Sequence, residues 1–397
     1  PTGSGKTTTM YTILNETAGR KILAGNSKLM EAEGISYATC EKVGTKVYVA
    51  VDGQYQGCVL IADELKPDSK TAVAALKQAG IRRTVMLTGD NETIGKAVAQ
   101  ELGLDDCYAQ LLPGDKVAVL EQLDASKRSG SKLAFVGDGI NDAPVLARAD
   151  IGIAMGSGTD IARETSKMIV LDDNFKSIVN GVLEGRVAYA NVRKIIYFLI
   201  SCGISEVLCF CLATLFNMDM PLVAIQILWL NVVTDGIQDL SLSFERAERD
   251  IMKEPPRDPK ESLFDKTLLE QTMFSGAIIG LLLFGMWYYL IKIAKMDITT
   301  ARGYVMTLMV FIQNIHVFNC RSEKNSAFTI PLKNNKLVVW GVIASIALQI
   351  IVMEVDIFAK LLQTVSIPVS HLTGLFALAL IILIVVEIYK KLRFHHE

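Results

Sequence analysis

The sequence predicts an α/β unit built on a parallel sheet, followed by an all-α bundle of membrane-spanning helices. Three observations predict it. Over the first half, short apolar runs of strand type alternate with segments of helical spacing, the pattern of strand-helix-strand units and hence of a parallel sheet. Two of those runs, RRTVMLTGDN and KLAFVGDGINDAP, end in polar loops that lead into helices. From about residue 190 the composition changes to long apolar stretches separated by charged loops, which is how helices that cross a bilayer read. At 397 residues the chain also exceeds a single domain of roughly 100–200 residues, so at least two folding units are expected.

Composition removes some classes of function. The net charge is −2 and no basic tract carries interleaved aromatics, so nucleic-acid binding has no electrostatic support. The seven cysteines include no pair at zinc-ribbon spacing, and reduced thiols are expected beside a cytosolic domain. The N-terminus is neither apolar nor built as a signal peptide, so the membrane half is expected to insert through its own helices.

Residues 1–16, PTGSGKTTTMYTILNE, stand apart. They resemble the phosphate-binding loop of secretion and pilus motor ATPases, in which Gly-rich backbone cradles phosphates while Lys6 and Thr7 meet the terminal phosphates and a magnesium ion. No strand precedes them and no second acidic motif follows, so the alternative is a foreign leader. From Arg20 a compact pattern begins. KVYVAVDGQYQGCVLIADELKPDS reads as a hairpin around Asp52-Gly53. SKTAVAALKQAG has helical spacing and stops at Gly80, and ETIGKAVAQELG is the helix after the first polar loop. In a parallel sheet the ligand site lies at the carboxyl ends of the strands, so both polar loops are expected to converge there.

Those loops carry chemistry. Thr88, Gly89 and Asp90 place a hydroxyl and backbone N–H groups where a phosphoryl oxygen can be held. Asp138 and Asp142 flank Asn141 at the end of the second strand, and two carboxylates beside a phosphate suit magnesium, a hard ion. Lys116, in LLPGDK between the loops, adds positive charge against a transferred phosphoryl group. For one loop alone Asp-Gly and Gly-Asp are ordinary turn pairs; three motifs in this order and context are not.

MLTGDN, LLPGDK and FVGDGINDAPVLARADIGIAMGSGTDIA resemble the phosphorylation domain of P-type ATPases, which has a haloacid-dehalogenase-like (HAD-like), Rossmann-type fold. The resemblance covers roughly residues 20–397. It implies Asp138 as magnesium ligand supported by Asn141 and Asp142, Thr88 and Asp90 as phosphate and nucleotide contacts, and Lys116 as the phosphate-binding lysine. Asp63 in ADELKP resembles the hinge to the nucleotide-binding domain, and Gly25 and Asn26 in AGNSKLM resemble the tail of that domain in heavy-metal members. The implied divisions are a leader over 1–16, a remnant of the nucleotide-binding domain over 17–62, the phosphorylation domain over 63–190 and a transmembrane domain over 191–397, with ATP and Mg2+ as cofactors.

About six spans are expected, at 194–216, 221–243, 272–294, 303–320, 337–359 and 371–389, each near the ~20 residues that cross ~30 Å of hydrocarbon. Arg246, Arg249, Lys253, Arg257, Lys260 and Lys266 in one loop, Arg321, Lys324, Lys333 and Lys336 in another, and Lys390, Lys391 and Arg393 in the tail place these segments on the cytoplasmic side. Polar groups within spans are functional candidates by default. Glu206 lies in the first. Asn231, Asp235 and Asp239 recur at four-residue spacing in the second and share a helix face. Gly236 there permits local unwinding that frees carbonyls for a cation. Gln313 and Asn319 lie in the fourth. Such oxygen donors suit a hard cation; hydrogen bonding between helices is the alternative, and it explains the amides better than the carboxylates.

LNVVTDG, Glu206, EPPR at 254–257 and FIQNIHVFN resemble the calcium-type branch of the P-type family. The resemblance implies Glu206, Asn231, Thr234, Asp235 and Gln313 as the transport site, with Asp239 added from its spacing. Gly203 stands where an asparagine ligand is expected, Gln313 where some members have glutamate, and Gln238-Asp239 where calcium pumps have Pro-Ala. One full site is therefore expected rather than two. Cys202, Glu206 and Cys209 fall on one face and favour zinc, cadmium or copper(I), and the soluble half to about residue 125 resembles heavy-metal exporters, although their Cys-Pro-Cys-type motif is absent. A composite chain is one reading of this change of character. The Asp-Lys-Thr-Gly-Thr loop whose aspartate accepts phosphate is not in the sequence, and Asp265-Lys266-Thr267 followed by Leu268 is a partial echo between two spans. The expectation is an incomplete pump of the bacterial plasma membrane, contacting lipid, that forms no phosphoenzyme without its N-terminal part. A P-loop motor fragment and a HAD-type phosphohydrolase are the readings from other classes.

Overall fold

The computed structural model describes residues 21–40, 45–61, 68–248, 250–257 and 261–394; the leader and Asp63 lie outside them. The chain divides into two compact units, Pro1–Val182 with Met252–Lys260, and Leu183–Ile251 with Glu261–Glu397.

In the first unit, β1 (Ile22–Gly25) leads through α1 (Ser27–Ala32) to β2 (Thr45–Val51) and β3 (Gln54–Ile61), an antiparallel sheet in the order β1-β2-β3. The expected hairpin is present. Asp52 and Gly53 have φ of 50° and 80°, the left-handed pair that a two-residue turn matched to strand twist requires. Leu23, Leu29, Met30, Tyr48 and Ala50 form the core of this sheet and its helix.

The next elements alternate: α2 (Ser69–Gln78), β4 (Val85–Leu87), α3 (Glu92–Leu102), β5 (Asp106–Tyr108), α4 (Pro113–Ser126), β6 (Ala134–Gly137), α5 (Ala143–Arg148), β7 (Ile151–Met155), α6 (Asp160–Thr165) and β8 (Met168–Val170). Every pairing among β4 to β8 is parallel, and the intervening helices supply the crossovers that parallel neighbours need. Among the described residues they form two ladders, β4-β5 and β6-β7-β8. The helix ends follow local chemistry. Asn91 Oδ1 accepts from Ile94 N at 2.9 Å to open α3, and Gly103, at φ 72°, closes it in the left-handed conformation that glycine adopts at least cost.

Asp105 ties α2 to the start of β4. It accepts from Lys77 Nζ at 2.6 Å and from Thr84 N at 2.7 Å, and the Lys77 ammonium, then the Thr84 N–H, hold its carboxyl at about 2. A carboxyl lowered on folding contributes stability above its unfolded value of about 3.9 and loses it as pH falls through the folded value. Acid titration by circular dichroism is therefore expected to show wild type losing stability between about pH 4 and pH 2, with Asp105→Asn flatter in that window.

The second unit takes most of α7 (Phe175–Leu215), then α8 (Ala224–Leu230), a π-helical turn at Asn231–Asp235, α9 (Gly236–Ser243), α10 (Lys266–Tyr288), a second π-helical turn at Tyr289–Ile293, α11 (Ile298–Cys320), α12 (Lys336–Glu354), α13 (Asp356–Leu361) and α14 (Val369–Phe394). Among the described residues four helices are long and apolar enough to cross a membrane, Phe175–Leu215, Lys266–Ile293, Lys336–Glu354 and Val369–Phe394; of the six expected spans, 221–243 is interrupted by the π turn and 303–320 lies in α11, and neither is among the four. The chain is thus an integral membrane protein. α11 is the central helix, with 18 of its 23 residues buried, so its Gln, Asn and His residues face protein on every side. Beside Gly236 the helix widens into the π turn rather than unwinding, and Asn231 O accepts from Gly236 N instead of standing free.

Gly276 and Gly280 of α10 let it lie directly on α7. A Cβ at Gly276 would come 2.7 Å from Ile204 Cγ2, and one at Gly280 would come 3.0 Å from Ser205 O. This is small-residue packing at four-residue spacing, the usual means of close helix approach in lipid. Gly280→Val is expected to destabilise the bundle by about 2 kcal/mol or more through overpacking, read as a lower melting temperature in detergent.

One end of the bundle is stapled by ion pairs, one buried and the others half-buried. Arg321, 1% exposed, takes both oxygens of Glu245 at 3.0 and 2.9 Å, and Asn335 Nδ2 donates to the same carboxylate at 3.1 Å. Arg193 pairs with Glu323 at 2.7 Å and Asp265 at 2.9 Å. Asp265 also caps α10 through Leu268 N at 2.7 Å, which gives the partial Asp-Lys-Thr echo a structural task. Arg321 and Lys390, counted in the sequence as loop charges, are both buried.

Candidate functional site

Three loops of the first unit meet at the carboxyl ends of β4 and β6. Thr88, 8% exposed, donates from Oγ1 to Asp90 Oδ2 at 3.0 Å and accepts from Asp90 N at 3.1 Å, so the TGD turn is self-braced around its exposed Gly89. The segment after β5 is laced to it. Leu111 N donates to Thr88 O at 3.1 Å and Gln110 N to Asp90 O at 2.8 Å. That segment runs into α4, where Pro113 sits in the first turn and Asp115 Oδ2 accepts from Leu112 N at 2.9 Å. One turn into α4, Lys116 reaches Asp142 Oδ1 at 2.7 Å. The segment from Gln110 to Lys116 thus contacts the TGD turn at one end and Asp142 at the other.

Beyond β6 the backbone turns tightly around Asp142, which is 8% exposed and accepts from Gly139 N at 3.2 Å. Asn141 lies in the same short 3-10 turn, Ile140–Asp142. Asp138 is exposed, and its backbone is crowded by Gly158, where a Cβ would sit 3.0 Å from Asp138 O. A larger residue would fill that cradle. One free-facing carboxylate, one buried carboxylate already balanced by a lysine, and glycine-lined backbone fit a magnesium ion that draws its other ligands from phosphate and water. Among the described residues no cluster of three or more His, Cys, Asp or Glu could hold a metal by itself.

Gly25 and Asn26 sit elsewhere, at the β1-α1 junction. Asn26 Oδ1 accepts from Leu29 N at 3.1 Å as a helix cap, and a Cβ at Gly25 would meet Leu29 Cδ2 at 2.4 Å. Both residues have local structural tasks; Asp63 is outside the described residues.

The second unit gathers polar groups around the π turn. Thr234 is buried and contacts Leu230 O at 2.6 Å and the Gln313 amide oxygen. A hydroxyl has one hydrogen. With that hydrogen on Leu230 O, Thr234 Oγ1 accepts from a Gln313 amide turned to face it with its NH2, and Gln313 Oε1 then becomes the free atom where Nε2 otherwise has no acceptor. Asn314 is fixed more tightly. Its Nδ2 donates to Val310 O at 2.7 Å and Ser345 Oγ at 2.8 Å, so its Oδ1 accepts from Gln238 Nε2 at 2.7 Å. Buried Asp235 Oδ1, Gln238 Oε1 and Asp239 Oδ1 have no donor among the described residues. Glu206 on α7 is half-buried, between buried Cys202 and Cys209, while Asn231 is exposed. The sequence reading named Gln238 only as a departure from the calcium-pump pattern, and missed Asn314, Ser345 and the Trp229–Gln349 pair at 2.8 Å. Uncharged polar groups inside apolar helices were their only signal.

Comparison with known proteins agrees with both halves. The family described as haloacid dehalogenase-like hydrolase matches residues 5–150, and the family described as cation transporting ATPase, C-terminus, matches residues 219–392. The calcium-transporting ATPase of Bacillus subtilis (strain 168) is 33% identical over 332 residues, 77% of this chain and 37% of that protein. Calcium-transporting ATPase type 2C member 1 of Homo sapiens is 33% identical over 371 residues, 86% of this chain and 40% of that protein. The cadmium, zinc and cobalt-transporting ATPase of Bacillus subtilis is 52% identical over 165 residues, 41% of this chain and 24% of that protein. The chain thus spans well under half the length of these relatives. With phosphoryl-type loops in one unit, buried oxygen donors in a membrane bundle in the other, and matches across both, the chain belongs to the P-type cation-transporting ATPases.

Proposed function

We propose that this chain is the phosphoryl-handling and cation-binding part of an ATP-driven pump that couples aspartyl-phosphate chemistry to transport of a hard cation such as Ca2+ across the bacterial plasma membrane. Thr88, the Gly89 backbone and Asp90 would hold the phosphoryl oxygens, and Lys116 would offset their charge; positioning and charge stabilisation dominate such transfers. Asp138 and Asp142, supported by Asn141, would hold magnesium, which supplies further positive charge against the phosphate oxygens. The nucleotide's remaining contacts would come from the Gly25-Asn26 junction, with Asp63 at the hinge. The aspartate that accepts phosphate would come from sequence outside this chain.

The cation reading is supported above all by the buried acceptors Asp235 Oδ1 and Asp239 Oδ1 without donors. Unpaired buried acceptors are costly, and a cation shared with Thr234, Gln313, Glu206 and Asn231 would satisfy them with oxygen ligands alone. A heavy-metal reading is favoured by buried Cys202 and Cys209 and by Cys320 Sγ at 3.4 Å from His316 Nε2. Equilibrium dialysis of the detergent-solubilised chain separates the two. Binding of 45Ca2+ that is lost in Asp235→Asn supports the hard cation. Retention of Zn2+ or Cd2+ binding in Asp235→Asn, with its loss in Cys202→Ser, overturns it in favour of the soft metal.

A further inference from the structure

Lys390 of α14 is 1% exposed, yet it belongs to no proposed catalytic or transport site. Its ammonium donates to three backbone carbonyls, Asn319 O at 2.6 Å, Ser322 O at 2.8 Å and Asn325 O at 3.3 Å. An ammonium has three hydrogens, and each finds one carbonyl. Glu387, one turn earlier on α14, stands 3.3 Å from Nζ through Oε1. Its other oxygen accepts from Ala327 N at 3.0 Å, so the carboxylate is fixed to the same segment that supplies the carbonyls. That segment is the end of α11 and the loop after it, where the helix dipole places negative charge.

Without its occupant the arrangement is three carbonyl oxygens and one carboxylate converging on a dry point, all acceptors. Rings of backbone carbonyls that replace a hydration shell are how proteins hold alkali cations. We infer that Asn319, Ser322, Asn325 and Glu387 form a monovalent-cation cage permanently filled by the chain's own Lys390, a tethered ion that fixes α11 to α14. An ordinary helix-capping lysine needs only a negative helix end and tolerates any loss of charge alike. A cage instead selects what replaces the ammonium by size and charge.

The test is thermal unfolding of the full chain in detergent, in ammonium chloride, potassium chloride and N-methylglucamine chloride at equal ionic strength. Wild type is expected to melt alike in all three. Lys390→Met in N-methylglucamine is expected to lose on the order of 10 °C, the scale for breaking a buried pair, and to regain at least half of it in ammonium or potassium. Hydrogen exchange at residues 319–327 should slow with the same salts. Lys390→Met with Glu387→Gln should show no such selectivity, and Lys390→Arg should be destabilised but blind to the salt, because its charge stays in place. Equal melting of Lys390→Met in all three salts overturns the cage, whether the variant is stable, weakened or unfolded throughout.

Discussion

Asp142→Ala is expected to weaken the first unit by about 3 kcal/mol, the low end for breaking a buried pair because both partners keep slight exposure. The loss has two parts. Lys116 is left in a confined place without its counter-charge, and the Gly139 N–H loses its acceptor, so the turn after β6 is no longer held. Urea unfolding of the purified chain checks the first effect. In the longer pump that supplies the phosphorylated aspartate, the same change is expected to lower phosphoenzyme formation by about 100-fold or more, the scale for losing one preorganised electrostatic group. Asp142→Asn keeps the volume and removes the charge. An asparagine variant that phosphorylates at the wild-type rate would falsify the role given to this carboxylate.

Asp235→Asn is expected to act in opposite directions on affinity and stability. Ca2+ affinity should fall about 100-fold or more, about 2.7 kcal/mol, because the carboxylate is one of the charged members of the site, beside Asp239 and half-buried Glu206. Without Ca2+ the variant should melt higher than wild type, since the substitution removes a carboxylate charge from a site whose buried Oδ1 has no donor and sites shaped for a ligand are maintained at a cost in stability. Asp239→Asn should behave similarly, and the two together should abolish any Ca2+-dependent rise in melting temperature. Melting curves with Ca2+ and with chelator measure both signs. A lower melting point in chelator together with unchanged Ca2+ protection would leave these carboxylates as structural groups.

The elements most legible in the sequence were those set by local chemistry. Asp52-Gly53 specified its turn through two left-handed residues, and the strand-loop-helix repeats placed Thr88 and Asp142 at strand ends because a parallel sheet leaves few other arrangements. Contacts that depend on distant partners were not legible. Arg321 and Lys390 carry the composition of a cytoplasmic loop and tail, and their burial follows from partners distant in sequence, Glu245 for Arg321 and the carbonyls of Asn319, Ser322 and Asn325 for Lys390. Asn314 is one amide in an apolar helix until Gln238 and Ser345 are brought beside it. The spacing of Asn231, Asp235 and Asp239 assumed an unbroken α-helix, and Gly236 foretold a disturbance without its form.

The π-helical turn at Asn231–Asp235 amounts to one surplus residue in a helix that otherwise advances about 100° per position. It sets α9 out of phase with α8, and so fixes the bearing on which Gln238 and Asp239 leave the axis. Deleting a single residue there, such as exposed Val232, would keep every side chain that carries chemistry and still swing them around the helix, parting Gln238 from Asn314. The direction of these acidic groups is therefore encoded in chain length, a property that no individual side chain records.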